Sequence, residues 1–225
     1  LGNGEKILAT AAPAGPAFEA ASIKCGVRAA AGAIETVKVV DGKLEIGTID
    51  DAPAIGICGS GLVDAVACLV QLGILDSSGK FNAVDDPNLV ERDGEKIYML
   101  TEDIFLSQRD VRELQFAKAA IATGWALLAE EFGIEDKDIQ QVLLAGSFGS
   151  YLSPASAVKI GLVPKISVLR IVSAGNVAGE GAKMALLSTQ ERHGAMTLLD
   201  EIKYVELSDR EDFNDKFVER LAFPV

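Results

Sequence analysis

The chain has a single histidine, His193, and only three cysteines, Cys25, Cys58 and Cys68, in 225 residues. No two cysteines stand at C-x-x-C spacing, so this inventory builds no zinc or iron–sulfur site of its own. The three read instead as small buried hydrophobes in a reducing compartment, and the chain as cytoplasmic. A Ser–His–Asp hydrolase would have to use His193, which lies in the polar stretch Gln190-Glu-Arg-His-Gly194 and reads as exposed. No G-x-S-x-G elbow accompanies it. Lysine and arginine total 21 against 33 aspartates and glutamates, a formal net charge of −12. That balance argues against nucleic acid and against a membrane as partner, because both call for basic patches. No apolar run reaches membrane-spanning length, and Asp64 interrupts the longest candidate.

What the chain does have is glycine at the end of apolar runs. Val142-Leu-Leu-Ala-Gly-Ser-Phe-Gly149 is a strand-like run that stops in a small turn. Ala54-Ile-Gly-Ile-Cys-Gly-Ser-Gly61 has the same grammar and leads into an apolar helix over residues 62–72. Val168-Leu-Arg-Ile-Val-Ser-Ala-Gly-Asn-Val-Ala-Gly-Glu-Gly181 leads into a helix over residues 177–188. Strand, glycine turn and helix is how α/β folds aim backbone amides at an anion. Any one turn equally suits a sheet that needs a tight bend. Three in one short chain favour a nucleotide site.

Length allows one domain or a close-packed pair of subdomains, and 49% apolar with 24% charged residues is ordinary for a globular protein. Leu1-Gly-Asn-Gly-Glu5 reads as a tight turn before a strand over residues 6–11, and such turns join antiparallel strands. The chain is therefore expected to be the C-terminal piece of a longer protein; a frayed N-terminal loop is the alternative. Pro16 suits the first turn of a short helix over 17–25. Asp41-Gly42 marks a hairpin between strands over 36–40 and 43–49. Residues 76–99 form a polar surface stretch with short strands. Ser107 and Asp110 have capping-box spacing at the head of a helix over 108–132 that stops at Gly133. Its apolar stripe is Val111, Leu114, Ile121, Trp125, Leu128 and Phe132. Lys118 falls on that stripe, so it either snorkels to the edge or meets an anion. Further on come strands over 141–145 and 168–172 and a helix from Ser153-Pro154 to residue 160. A strand over 204–207 and a capping box at Ser208 that opens a helix bearing Phe213, Phe217 and Leu221 complete the chain.

Five stretches, in order, carry a resemblance. They are Ala11-Ala-Pro-Ala-Gly-Pro-Ala-Phe-Glu-Ala20, Ile57-Cys-Gly-Ser-Gly-Leu-Val-Asp64, Gln108-Arg-Asp-Val-Arg-Glu-Leu-Gln-Phe-Ala-Lys-Ala-Ala-Ile121, Leu144-Ala-Gly-Ser-Phe-Gly-Ser150 and Ser173-Ala-Gly-Asn-Val-Ala-Gly179. Across residues 1–190 the chain resembles the C-terminal domain of the ATP-dependent reductive activators of corrinoid proteins. These belong to the acetate and sugar kinase/heat-shock chaperone/actin superfamily. The resemblance implies an α/β, actin-like (ribonuclease-H-like) mixed sheet flanked by helices, the second half of a two-lobed ATPase, spanning residues 1–225 with a surface insertion near 76–100. It implies ATP with Mg²⁺ as cofactor and reduction of a Co(II) corrinoid protein to Co(I). The electron would come from an iron–sulfur domain outside this chain. Implied partners are the corrinoid protein, the remaining half of the same protein and a second copy in a homodimer. Alone, the chain is expected to have little or no ATPase activity.

On that resemblance Gly146, Ser147 and Gly149 line the adenine and ribose side of the cleft. Phe148 is either a packing wedge or a ligand contact. Gly59, Ser60 and Gly61 present amides toward a phosphate, unless Ser60 only caps the helix. Gly175 and Asn176 close the pocket, with Asn176 equally suited to a cap. Gln108, Arg109 and Lys118 could face the cleft, although Arg109 also suits a solvated first turn. The loop over residues 13–19 faces either nucleotide or corrinoid partner. No general base is identifiable. Other readings are a sugar-type kinase, an activator of a 2-hydroxyacyl-CoA dehydratase and a non-enzymatic actin-like interaction domain.

Overall fold

The Asn3 side chain accepts from the amides of Glu5 and Lys6, both at 2.8 Å, and closes the first turn. Leu1 then pairs with Leu8 in antiparallel fashion, through backbone bonds of 2.8 and 3.0 Å, against strand β1 (Ile7–Ala9). The computed structural model describes residues 1–224, apart from the side chains of Glu19 and Ser147. After β1 the order is β2 (Ala33–Val40), β3 (Lys43–Thr48), β4 (Gly56–Ile57), α1 (Gly59–Gln71), β5 (Leu89–Arg92), β6 (Glu95–Met99) and β7 (Phe105–Ser107). The second half holds α2 (Gln108–Phe132), β8 (Val142–Ala145), α3 (Gly146–Tyr151), α4 (Pro154–Lys159), β9 (Ile171–Gly175), α5 (Val177–Leu187), α6 (Thr189–Glu201), β10 (Ile202–Tyr204) and α7 (Phe213–Glu219). The class is mixed α/β, as expected. The strands among the described residues fall into four short sheets rather than one: β1–β10, β3–β2–β4, β5–β6–β7 and β8–β9.

The core forms around α1, in which every residue from Gly59 to Leu69 is buried. It lies against β2 at a separation only glycine permits, since a β-carbon on Gly61 would stand 2.1 Å from the Ile34 carbonyl oxygen. The Asp41-Gly42 hairpin forms as expected, with both residues at positive φ (50° and 76°). The Ser107–Asp110 capping box closes in both directions, and Gly133 ends α2 in the left-handed conformation at φ 82°. Residues 76–100 form an antiparallel, largely exposed flank.

Several expectations fail for local reasons. The helix over 17–25 is a single 3-10 turn, Ala17–Glu19, stopped by Ala20 at φ 60°. Residues 168–170 form a Ser167-capped turn, which moves β9 to Ile171–Gly175. Ser208 lies inside another turn, so α7 starts only at Phe213 and leaves Leu221 beyond its end. The last strand is Ile202–Tyr204, paired in parallel with β1. The intervening helix α6 has no buried residue, so no apolar stripe announced it. His193 lies on it and is exposed.

Candidate functional site

Strands β8 and β9 run parallel, with Val142 beside Ile171 and Ala145 beside Gly175. Their C-terminal ends therefore lie together, and each turns into a helix at a glycine. Gly146 has φ 88° and Gly175 φ 67°, and a β-carbon on either would meet nothing within 4 Å. Two adjoining strand ends with open left-handed turns are where α/β sheets hold ligands. Asn176 caps α5, accepting from the Gly179 amide at 3.0 Å. Gly149 is buried, and a β-carbon there would stand 3.0 Å from the Leu144 carbonyl carbon.

Helix α3 links these turns to a cleft of about 600 Å³. Phe148 and Tyr151 of α3 form one wall, and Gly59 and Ser60 at the head of α1 form another. Phe18 completes the apolar lining, its ring centroid 4.9 Å from that of Phe148. Phe148 thus acts as a packing wedge and lines the cleft as well. Gly59 is required here, because a β-carbon would stand 2.1 Å from the Phe18 carbonyl oxygen and 3.0 Å from the Phe148 ring. Ser60 is not the cap of α1; the N-cap is Cys58, and Ser60 sits 3.4 Å from its sulfur. Gly61 faces β2 and serves packing. Among the described residues, the charged groups lining the cleft are Arg28 and Glu35. Neither belongs to a recognisable motif, so nothing in the local sequence marks them.

The structure brings together Gly59, Ser60 and Phe148 in the cleft, with Gly146, Gly149, Gly175 and Asn176 on the adjoining strand ends. The Ser147 side chain lies outside the described residues. Gln108 and Lys118 are elsewhere. Gln108 holds the 79–81 loop, donating to the Gly79 carbonyl at 2.6 Å and accepting from the Phe81 amide at 3.2 Å. Arg109 is exposed at the head of α2. Lys118 is 1% exposed, donates to the Ala222 carbonyl and lies 5.3 Å from the Phe223 ring centroid. Burial, aided by nearby Arg220, pushes its ammonium down to about 8.

The loop carrying Phe18 is anchored from α2. Asp110, fully buried, accepts from the Ser107 amide at 2.8 Å and the Lys24 amide at 2.9 Å. Burial raises the Asp64 carboxyl, which accepts from the Val37 amide at 3.3 Å inside the core. Cys58 and Cys68 point at the Ile34 and Val37 carbonyls, and the Cys68 thiol is pushed up to about 11 by burial. Among the described residues no three His, Cys, Asp or Glu side chains are placed to hold a metal. No helix there is long and apolar enough to cross a membrane.

A family model described as the C-terminal domain of RACo, the ASKHA domain, matches residues 1–225. The corrinoid activation enzyme RamQ of Eubacterium limosum is 34% identical over 239 residues, which cover 99% of this chain and 40% of that protein. The Co(II) methylated amine-specific corrinoid protein reductase of Methanosarcina barkeri is 26% identical over 244 residues, 98% of this chain and 43% of that one. A solved structure, the reductive activator for corrinoid, iron–sulfur protein, aligns over 100% of this chain and 37% of its own with a TM-score of 0.91 and 35% identity. The chain thus spans about two fifths of the length of the curated relatives it matches.

Proposed function

The chain belongs to the family of the C-terminal ASKHA domain of RACo, and from that premise we propose that it is the ATP-binding half of a reductive activator that returns Co(II) corrinoid proteins to Co(I). The observation that carries this reading is the pair of open glycine turns, Gly146 and Gly175, at the adjoining ends of parallel β8 and β9. Beside them, α3 leads to a cleft with an aromatic wall, a cation and a helix head. These residues fit a nucleotide: the open turns admit it to the backbone, Phe148 and Tyr151 offer apolar surface, and Arg28 offers charge to phosphate.

ATP supplies binding energy that differs between two states of the activator, and only that difference can drive an uphill electron transfer. The chain's own part is to bind and orient the nucleotide and to couple it to the α3–α1 contact. One electron passes to Co(II), giving Co(I); its source is an iron–sulfur domain of the same protein outside these residues. Mg²⁺ arrives with the nucleotide. Residues 76–100 are a surface insertion in this lobe. The partners are the corrinoid protein, the rest of the activator and a second copy in a homodimer, and the compartment is the cytoplasm.

The test is anaerobic reduction of a Co(II) corrinoid protein by the whole activator and a low-potential reductant, followed by the Co(I) absorption band. Co(I) should accumulate with ATP and Mg²⁺ and not without them. An equal yield in both conditions overturns the reading.

A further inference from the structure

A second cavity, of about 760 Å³, lies away from the glycine turns. It is lined by Asp136 and Lys165, which precede β8 and β9, whereas the glycine turns follow those strands. Four cations line it, Lys118, Lys159, Lys165 and Arg220, against two carboxylates, Asp136 and Glu219. That is an excess of positive charge in a chain of net charge −12. Among the described residues none of these six takes part in an ion pair.

The deepest of them is Lys118. Its partners among the described residues are neutral, the Ala222 carbonyl and the Phe223 ring. A buried ammonium without a counter-charge is costly, and a bound anion would relieve that cost. Apart from Gln71 and Ser77, the remaining lining is apolar, including Trp125, Val158, Val163 and Phe223. The cavity has the size and the mixture of apolar wall and few polar groups typical of small-molecule sites. The segment 221–224 closes it as a strap. Gln115 donates to the Leu221 carbonyl at 2.8 Å, and the Phe223 amide donates to the Ser77 carbonyl at 2.7 Å.

We propose that this cavity is a second ligand site, which takes a small organic anion with a phosphate or carboxylate head on Lys118 and an apolar body against Trp125 and Phe223. It goes beyond the nucleotide reading and does not depend on it. Lys159 and Lys165 on the rim steer the anion in.

Trp125 is the one tryptophan of the chain, so its fluorescence reports the site directly. Phenyl phosphate and benzoate, titrated separately into the 225-residue chain, distinguish the two head groups. At least one should change the emission saturably, at concentrations on the order of millimolar or below. Lys118→Met should weaken that binding about tenfold, the loss of one well-placed charge contact. Lys159→Gln with Lys165→Gln alters exposed residues only and should weaken it several-fold with unfolding unchanged. No saturation with either probe, or equal affinity in the rim double variant, overturns the proposal.

Discussion

The rings of Phe18 and Phe148 lie 4.9 Å apart, and through them the 13–19 loop is fastened to the helix that begins at Gly146. This contact sets the distance between the glycine turn and the head of α1. Phe148→Ala should cost about 1–3 kcal/mol, the loss of a half-buried aromatic and its partner. Urea unfolding measures the stability loss, and nucleotide affinity should fall with it.

Two glycine substitutions should differ for a geometric reason. Gly61→Ala drives a methyl group to 2.1 Å from the Ile34 carbonyl, where backbone must move. A loss of about 3 kcal/mol or more is expected. Gly146→Ala meets open space, so only its φ of 88° opposes it, at about 1–2 kcal/mol. Comparing the two denaturation midpoints separates close packing from backbone strain.

Asp110→Ala should leave the Ser107 and Lys24 amides without their acceptor. Both bonds are made at the buried head of α2. The expected cost is about 2 kcal/mol or more. Hydrogen exchange should show the 20–26 segment opening more than α1, because the Lys24 bond ties that segment down.

Lys118 gives stability a particular pH dependence. Its folded value, about 8, lies below the ordinary lysine value of 10.5. Between those values the unfolded chain holds the proton and the folded chain does not. Stability contributed by this group therefore rises as pH climbs from about 8 toward 10.5, and its penalty is fully present below 8. In Lys118→Met that rise should vanish, which unfolding measured across the window checks directly.

Local chemistry was legible in the sequence wherever it acts through neighbours. The Ser107–Asp110 box, the Gly133 stop, the Asp41-Gly42 hairpin and the Asn176 cap all form where their spacing puts them. So does the strand end at Gly146, whereas β9 runs on to Gly175, past its expected end at residue 172. Long-range decisions were not legible. Ala20 turns left-handed where the following loop folds back through turns, tied down by the bonds from Lys24 to Asp110 and from Val27 to Ile57. Gly61 gives no sign in the sequence that a β2 carbonyl will approach it. Lys118 was marked as unusual by its place among apolar residues, but its neighbour, the 221–224 strap, is about a hundred residues away along the chain. Arg28 and Glu35 enter the cleft only because β2 and the loop before it fold over α1.

The most direct measurement is a calorimetric titration of ATP with Mg²⁺ into the chain and into its Gly146→Ala and Gly175→Val variants. The wild-type chain should bind saturably, and each variant, its new side chain projecting into open space at the strand ends, should bind about tenfold more weakly or worse while remaining folded. Absence of binding in the wild type, or equal affinity in folded variants, would contradict a nucleotide site at the ends of β8 and β9.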